Sequence, residues 1–299
     1  MNNKILVIGS SNTDMTIKGD RLPVPGETIT GGTFYMGPGG KGANQAVAAK
    51  RLGGDVEFIC KVGRDIFGDS ALAGYEKEGI DISHAMRSDK ASGTALILVD
   101  ENGENCISVA SGANGDITPE DIDSVADVIR GAGFLILQLE IPVESVLRAA
   151  KIAHEAGVYV ILNPAPACEL PKELFSYVSL MTPNRTEAQI LSGCPVTDEA
   201  SLDKAVEVLR GYGVKDFVVT LGSKGSLVFQ GGKSEMIPSL KVKAVDATAA
   251  GDTFCGALCV ALSEGLSLQD AARFATKASA ITVTRQGAQN SIPTRNEIW

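Results

Sequence analysis

The sequence predicts an α/β fold: a parallel sheet covered by helices on both faces, with a small four-stranded β-sheet beside it. Three observations carry this. The chain has 299 residues, 44% of them apolar, enough for one large core or two smaller ones. Short β-branched runs alternate with amphipathic helical patterns, as expected where strands are buried on both faces. Two stretches break the alternation with strand-like pairs and no helix between them.

Taken in order, KILVI at 4–8 is the first strand. Two strand-like runs follow at 15–18 and 28–35, split by the turn-rich LPVPGE. A helix is expected over 43–52 and a strand over 56–62. The segment GTALILVDENGENCISVA at 93–110 reads as two strands around a turn at 100–105, a hairpin signal. Strands then follow at 134–139, 159–162, 180–182 and 217–221, with helices at 142–156, 198–212 and 251–263. Gly157 follows one of these helices, and Gly211 and Gly213 another, as helix ends require. The small sheet, built from about 14–36 and 93–110, needs something to cover or pair with. A lid over a site and an ordinary edge extension both fit the pattern. Without repeats, low-complexity tracts or a long linker, one domain over 1–299 is expected.

Composition narrows the function. A net charge of −9 opposes non-specific nucleic-acid binding, which needs a basic footprint. It leaves room for ATP, because local cations and backbone N–H groups hold phosphates inside acidic proteins. Cys60, Cys106, Cys168, Cys194, Cys255 and Cys259 form no CxxC pair, so buried thiols in a reducing compartment are expected. ILVIG near the N-terminus is too short for a signal peptide, and no apolar run is long enough to span a membrane. A cytoplasmic protein is expected.

Five motifs offer chemistry. DATAAGDTF at 246–254 opens an apolar helix, and Gly251 would let the backbone approach a ligand at the dipole's positive end. Asp252 in that turn is either a helix cap or a base beside an anion cradle. GPGGKGANQ at 37–45 fits neither nucleotide fingerprint; Lys41 and Asn44 could bond a polyol, or the segment is a tight turn. Asn12-Thr13-Asp14 and Glu140 follow strand ends, where ligands sit in open α/β sheets. Asn184 and Glu187 suit a helix start or a hydrated Mg²⁺. TLGSKG at 220–225 could line a nucleotide pocket, or TLGSKGSLVF is a hairpin.

Together, in order, the NTD triplet, GGKGANQA, the strand-end Glu140, NPAPA, TPNRTEA, TLGSKG and DATAAGDTF resemble the ribokinase (PfkB) family of carbohydrate kinases over nearly the whole chain. The resemblance implies a doubly wound sheet with a β-lid, a homodimer through the lids, and transfer of the ATP γ-phosphate to the 5-hydroxyl of D-ribose. It implies ribose held by Asn12, Asp14, Gly40, Lys41, Asn44 and Glu140, with Asp252 as base and the N–H groups of Ala249, Ala250 and Gly251 as anion hole. It implies ATP lined by Asn184, Thr220, Gly222, Ser223, Gly225, Gly251, Asp252 and Thr276, with Mg²⁺ held through water by Glu187. A monovalent cation, K⁺, is implied at Asp246, Thr248, Thr282, Arg285, Gly287 and Ser291. Many members have a second glycine where Ala250 stands, which alanine replaces cheaply if φ is negative. A kinase of deoxyribose, a ketohexose or a nucleoside would share this chemistry. A silent sugar sensor would not need Asp252, and a dinucleotide oxidoreductase would need the missing GxGxxG. A short final helix is expected before Trp299.

Overall fold

Strand β1 (Lys4–Ile8) shows why the sheet is covered twice: Leu6 and Ile8 enter one apolar core, Ile5 and Val7 the other, and all four are fully buried. The computed structural model describes residues 2–298. After β1 the chain makes β2 (Asn12–Lys18), β3 (Thr33–Gly39), helix α1 (Lys41–Arg51), β4 (Asp55–Ile59), β5 (Lys61–Gly63), α2 (Ile66–Lys77) and β6 (Met86–Ser88). Next come β7 (Gly93–Val99), β8 (Asn105–Ala110), α3 (Pro119–Ser124), α4 (Ala126–Arg130), β9 (Phe134–Leu137), α5 (Val143–Glu155) and β10 (Tyr159–Leu162). The last part holds α6 (Lys172–Tyr177), β11 (Leu180–Met181), α7 (Arg185–Ser192), α8 (Glu199–Gly211), β12 (Asp216–Thr220), β13 (Ser226–Gln230), β14 (Lys233–Ile237), α9 (Ala250–Ser263) and α10 (Leu268–Thr282).

The main sheet runs β14-β13-β12-β11-β10-β9-β1-β4, parallel from β12 to β4 and antiparallel at β13 and β14. Helices α1, α2, α9 and α10 cover one face, and α3 to α8 cover the other. The small sheet, β3-β2-β7-β8, continues directly from β1 through Gly9, Ser10 and Ser11.

Several expected bounds move. The strand over 56–62 breaks at Cys60, because β4 pairs with β1 while β5 leaves to pair with β6. The run at 28–35 becomes strand only from Thr33, where pairing with β2 begins. Residues 138–141 leave the sheet after β9, which frees the loop carrying Glu140. Residues 220–225 do sit in a hairpin, β12 to β13. Cys60, Cys255 and Cys259 are buried and Cys168 and Cys194 half-buried, but Cys106 is exposed on β8. After the SIP segment only one short turn, Arg295–Glu297, follows; Trp299 lies outside the described residues. Among the described residues no helix is long and apolar enough to cross a membrane.

Candidate active site

The carboxyl ends of β1, β9, β10, β11 and β12 converge on a cavity of about 410 Å³ roofed by the small sheet. Asn12, Asp14, Gly40, Lys41, Asn44 and Glu140 all line it, as do Asp252, Glu187 and Asn184. The small sheet contributes Ala95, Ile97, Ile107 and Val109; the strand register puts these on the same face as Asp14.

Helix α1 brings Lys41 and Asn44 to the cavity. Its N-cap, Gly40, has φ 90, and a Cβ there would lie 2.7 Å from the Asn12 nitrogen, so only glycine fits. Glu140 fastens the helix start: its Oε2 accepts from the Ser10 hydroxyl at 2.6 Å and from the Lys41 N–H at 3.0 Å. Asn12 Oδ1 accepts from Asn114 at 2.7 Å. Asn44 Oδ1 is buried with no hydrogen-bond partner among the described residues, the state of an acceptor awaiting a ligand hydroxyl.

Asp252 sits at the head of α9, 6% exposed. Asn44 Nδ2 donates to its Oδ2 at 2.9 Å and Gln45 Nε2 to its Oδ1 at 3.0 Å. Capping is therefore not its role; no backbone N–H of the first turn bonds its side chain. Ala249 is the left-handed residue at the helix entry, with φ 58, while Ala250 keeps a negative φ as expected. The strain, about 1–2 kcal/mol for a residue with a Cβ, thus falls one residue before the alanine flagged in the sequence. Ala250 N–H is engaged with Ala247 O at 3.2 Å, whereas the N–H groups of Ala249 and Gly251 have no partner among the described residues. A Cβ on Gly251 would meet nothing within 4 Å.

Charge is concentrated here. Lys41 faces four carboxylates, and Asp252 first, then Glu140, Glu187 and Asp14, raise its pKa against the opposing effect of burial. Burial, then Glu140 and Asp252, push the Asp14 carboxyl up to about 6, with Lys41 opposing. Burial likewise raises Glu187. Its Oε2 completes a capping box with Asn184, each bond at 2.8 Å.

A second, apolar cavity of about 320 Å³ abuts the first. Gly222, Ser223, Gly225, Leu240, Val242 and Thr276 line it, and Thr220, Ala247, Gly251 and Phe254 belong to both. A third, of about 590 Å³, opens between Asn184, Asp198 and Gly222. The two cavities meet at Gly251 in the first turn of α9, beside Asp252, which lines the first; such a junction is what group transfer between two bound molecules needs.

A family model described as pfkB family carbohydrate kinase matches residues 2–295. The chain belongs to the pfkB family of carbohydrate kinases. It is 45% identical over 298 residues to the ribokinase of Haemophilus influenzae, covering 99% of this chain and 97% of that one. The solved ribokinase of Thermotoga maritima superposes with a TM-score of 0.91 at 40% identity, covering 100% and 98% of the two chains. The ribokinase of Arabidopsis thaliana, solved with ribose and ATP, superposes with a TM-score of 0.92 at 33% identity, covering 100% and 98%.

The family positions predicted for the sugar share one cavity in this chain, and Thr220, Gly222, Ser223, Gly225, Gly251 and Thr276 share the apolar one. The six positions predicted for the monovalent cation are less uniform. Asp246 receives Thr248 N–H at 2.9 Å, Thr248 Oγ1 at 2.6 Å and Gly287 N–H at 2.9 Å, drawing those three residues together. The side chains of Thr282, Ser291 and Arg285 are engaged elsewhere, with Thr253 and Ala278, with Ala288, and with Glu297 respectively. Sequence reading missed Ser10, Gln45, Gln138 and Asn163. Their signals, the Gln after Asn44 and the Asn opening NPAPA, lie inside motifs already singled out.

Proposed function

We propose that the protein is a ribokinase, transferring the ATP γ-phosphate to the 5-hydroxyl of D-ribose to give D-ribose 5-phosphate and ADP. The observation that carries this is the placement of Asp252, buried in the polar cavity next to Gly251, where that cavity meets the apolar one, in a chain so like ribokinases across its whole length. Ribose hydroxyls bond Asp14, Asn44 Oδ1 and Glu140. The apolar cavity takes the adenine, and Thr220, Ser223 and Asn184 flank the phosphates. Asp252 accepts the 5-hydroxyl proton as that oxygen bonds to phosphorus and the bond to the ADP oxygen breaks. The N–H groups of Ala249 and Gly251 receive the negative charge that develops.

Glu187 suits Mg²⁺ through water: it is a half-buried carboxylate with one oxygen committed to the cap, and a bound cation would relieve its cost of burial. Mg²⁺ supplies charge neutralisation on the phosphates. Asp246, Thr248 and Gly287, with carbonyls of Thr282, Arg285 and Ser291, are the residues that would hold K⁺, whose charge would strengthen the anion hole. The small sheet serves as lid, its inner face excluding water from the transfer. Its outer face carries Ile17, Phe34, Met36 and Leu96, each 44–60% exposed, and a second copy would cover it as a homodimer.

The test is ATP-dependent phosphorylation across ribose, deoxyribose, fructose and adenosine, with and without K⁺. Ribose should give the highest kcat/KM, with phosphate on C5, and K⁺ should raise turnover. A stronger preference for any other acceptor would overturn the substrate. Asp252→Asn should lower kcat by about a thousandfold, within the usual range for a general base, with ribose still binding. Equal loss of affinity and turnover would refute the base.

A further inference from the structure

Asp252 is the end of a buried chain of side-chain amides. Gln45 donates one Nε2 hydrogen to Asp252 Oδ1 at 3.0 Å and the other to Asn163 Oδ1 at 2.9 Å. Its Oε1 accepts from Gln138 Nε2 at 2.8 Å. Asn163 Nδ2 passes the chain on to the Thr182 carbonyl at 3.0 Å. Every polar atom of the Gln45 amide is therefore used, and only one orientation works: turned over, Oε1 would face a carboxylate. Gln45 sits on α1 among buried Ala43, Ala46, Val47, Ala48 and Ala49. Gln138 Oε1 has no partner among the described residues, and Gly9 lacks the Cβ that would sit 2.0 Å from it, so the backbone makes room for an amide whose burial costs stability. Gln45 and Gln138 are fully buried and line none of the cavities described above.

We propose that Gln45 is a positioning residue for phosphoryl transfer. Held in one orientation by Gln138 and Asn163, it fixes the Asp252 carboxylate from behind while Asn44 fixes it from the sugar side, so that one lone pair points at the reacting hydroxyl. This rests on Asp252 being the base.

The test measures kcat and both KM values for Gln45→Met, Gln45→Glu and Gln138→Met, beside Asp252→Asn. Gln45→Met should lose about a hundredfold in kcat, the scale of a misplaced catalytic group, with both KM values within about threefold of the parent. Added to Asp252→Asn, it should cost nothing further, since it acts through that carboxylate. Gln45→Glu can donate only when protonated, so its kcat relative to the parent should rise as pH is lowered from 8 to 6. If Gln45→Met does not fold, the Gln45→Glu pH ratio and a kcat-only loss in Gln138→Met decide. A kcat within twofold of the parent for Gln45→Met, a flat pH ratio, or a loss confined to KM would overturn the positioning role while an inactive Asp252→Asn left the base standing. An active Asp252→Asn would sink the base itself.

Discussion

Asp14 carries the least comfortable charge in the cavity. In the proposed role it accepts two ribose hydroxyls and must be ionised to do so, while burial first, then Glu140 and Asp252, hold its carboxyl up at about 6. Ribose KM should therefore climb as pH falls through 6, measured against the KM for ATP as an internal standard. The stability effect has the opposite sign. The folded state binds this proton more tightly than the unfolded chain, so ionisation penalises the fold fully above pH 6 and not at all below about pH 4. Asp14→Asn should stabilise the protein by on the order of 2 kcal/mol at pH 8, a gain that disappears near pH 4, while ribose binding is lost; denaturant melts at both pH values check it. Gly251 makes the complementary point. Nothing in the protein blocks a Cβ there, and alanine favours a helix over glycine by about 1 kcal/mol. Gly251→Ala should fold as well as the parent or better and still lose on the order of tenfold or more in kcat, because the methyl fills the space of the anion. Asp252, Asn44 and Gly251 were legible because each stands in a compact motif. Gln45 stands in the same motif as Asn44, but its role was not legible: its partners lie 207, 118 and 93 residues away, and only the fold shows what its amide bonds.

At the scale of elements, α1 carries Asn44 and Gln45 and α9 carries Asp252, and glycine sets their separation. A Cβ on Gly256 would come within 2.8 Å of both Ala48 Cβ and Gln45 O, so the helices approach as closely as backbones allow. Gly256→Ala should cost about 1–3 kcal/mol in denaturant melts, the usual range for overpacking, and should also lower kcat, since the displaced α1 carries Asn44 and Gln45. Strands β1, β9, β10 and β12 and helices α5, α8 and α9 were legible because a sheet buried on both faces leaves continuous apolar runs and long amphipathic periods. Helices α3, α4 and α6, of 6, 5 and 6 residues, are too short to show a 3.6-residue period. The break between β4 and β5 was invisible because apolar pattern records burial and not the choice of partner strand.

For the molecule as a whole, the small sheet joins the site to its surroundings. Its inner face meets the polar cavity that holds Asp14 and Asp252, and its outer face presents Ile17, Phe34, Met36 and Leu96 to solvent in the isolated chain. Contiguous exposed apolar side chains of this kind mark an interaction surface. Phe34→Glu should convert a dimer to a monomer in sedimentation or light scattering, with the ribose KM rising because the roof loses its support; a parent that is monomeric at micromolar concentration would refute the homodimer. The two faces also share the same strands and are told apart only by odd and even position. Asp14, Ala95 and Val109 fall on one side, Met15, Leu96 and Ser108 on the other. A single-residue insertion within 12–18 or 93–99 would invert that parity, throwing a sugar-binding acid outward and greasy side chains in. Length variation among descendants of this chain should therefore collect in the turn at 100–104, leaving those two strands free of insertions and deletions.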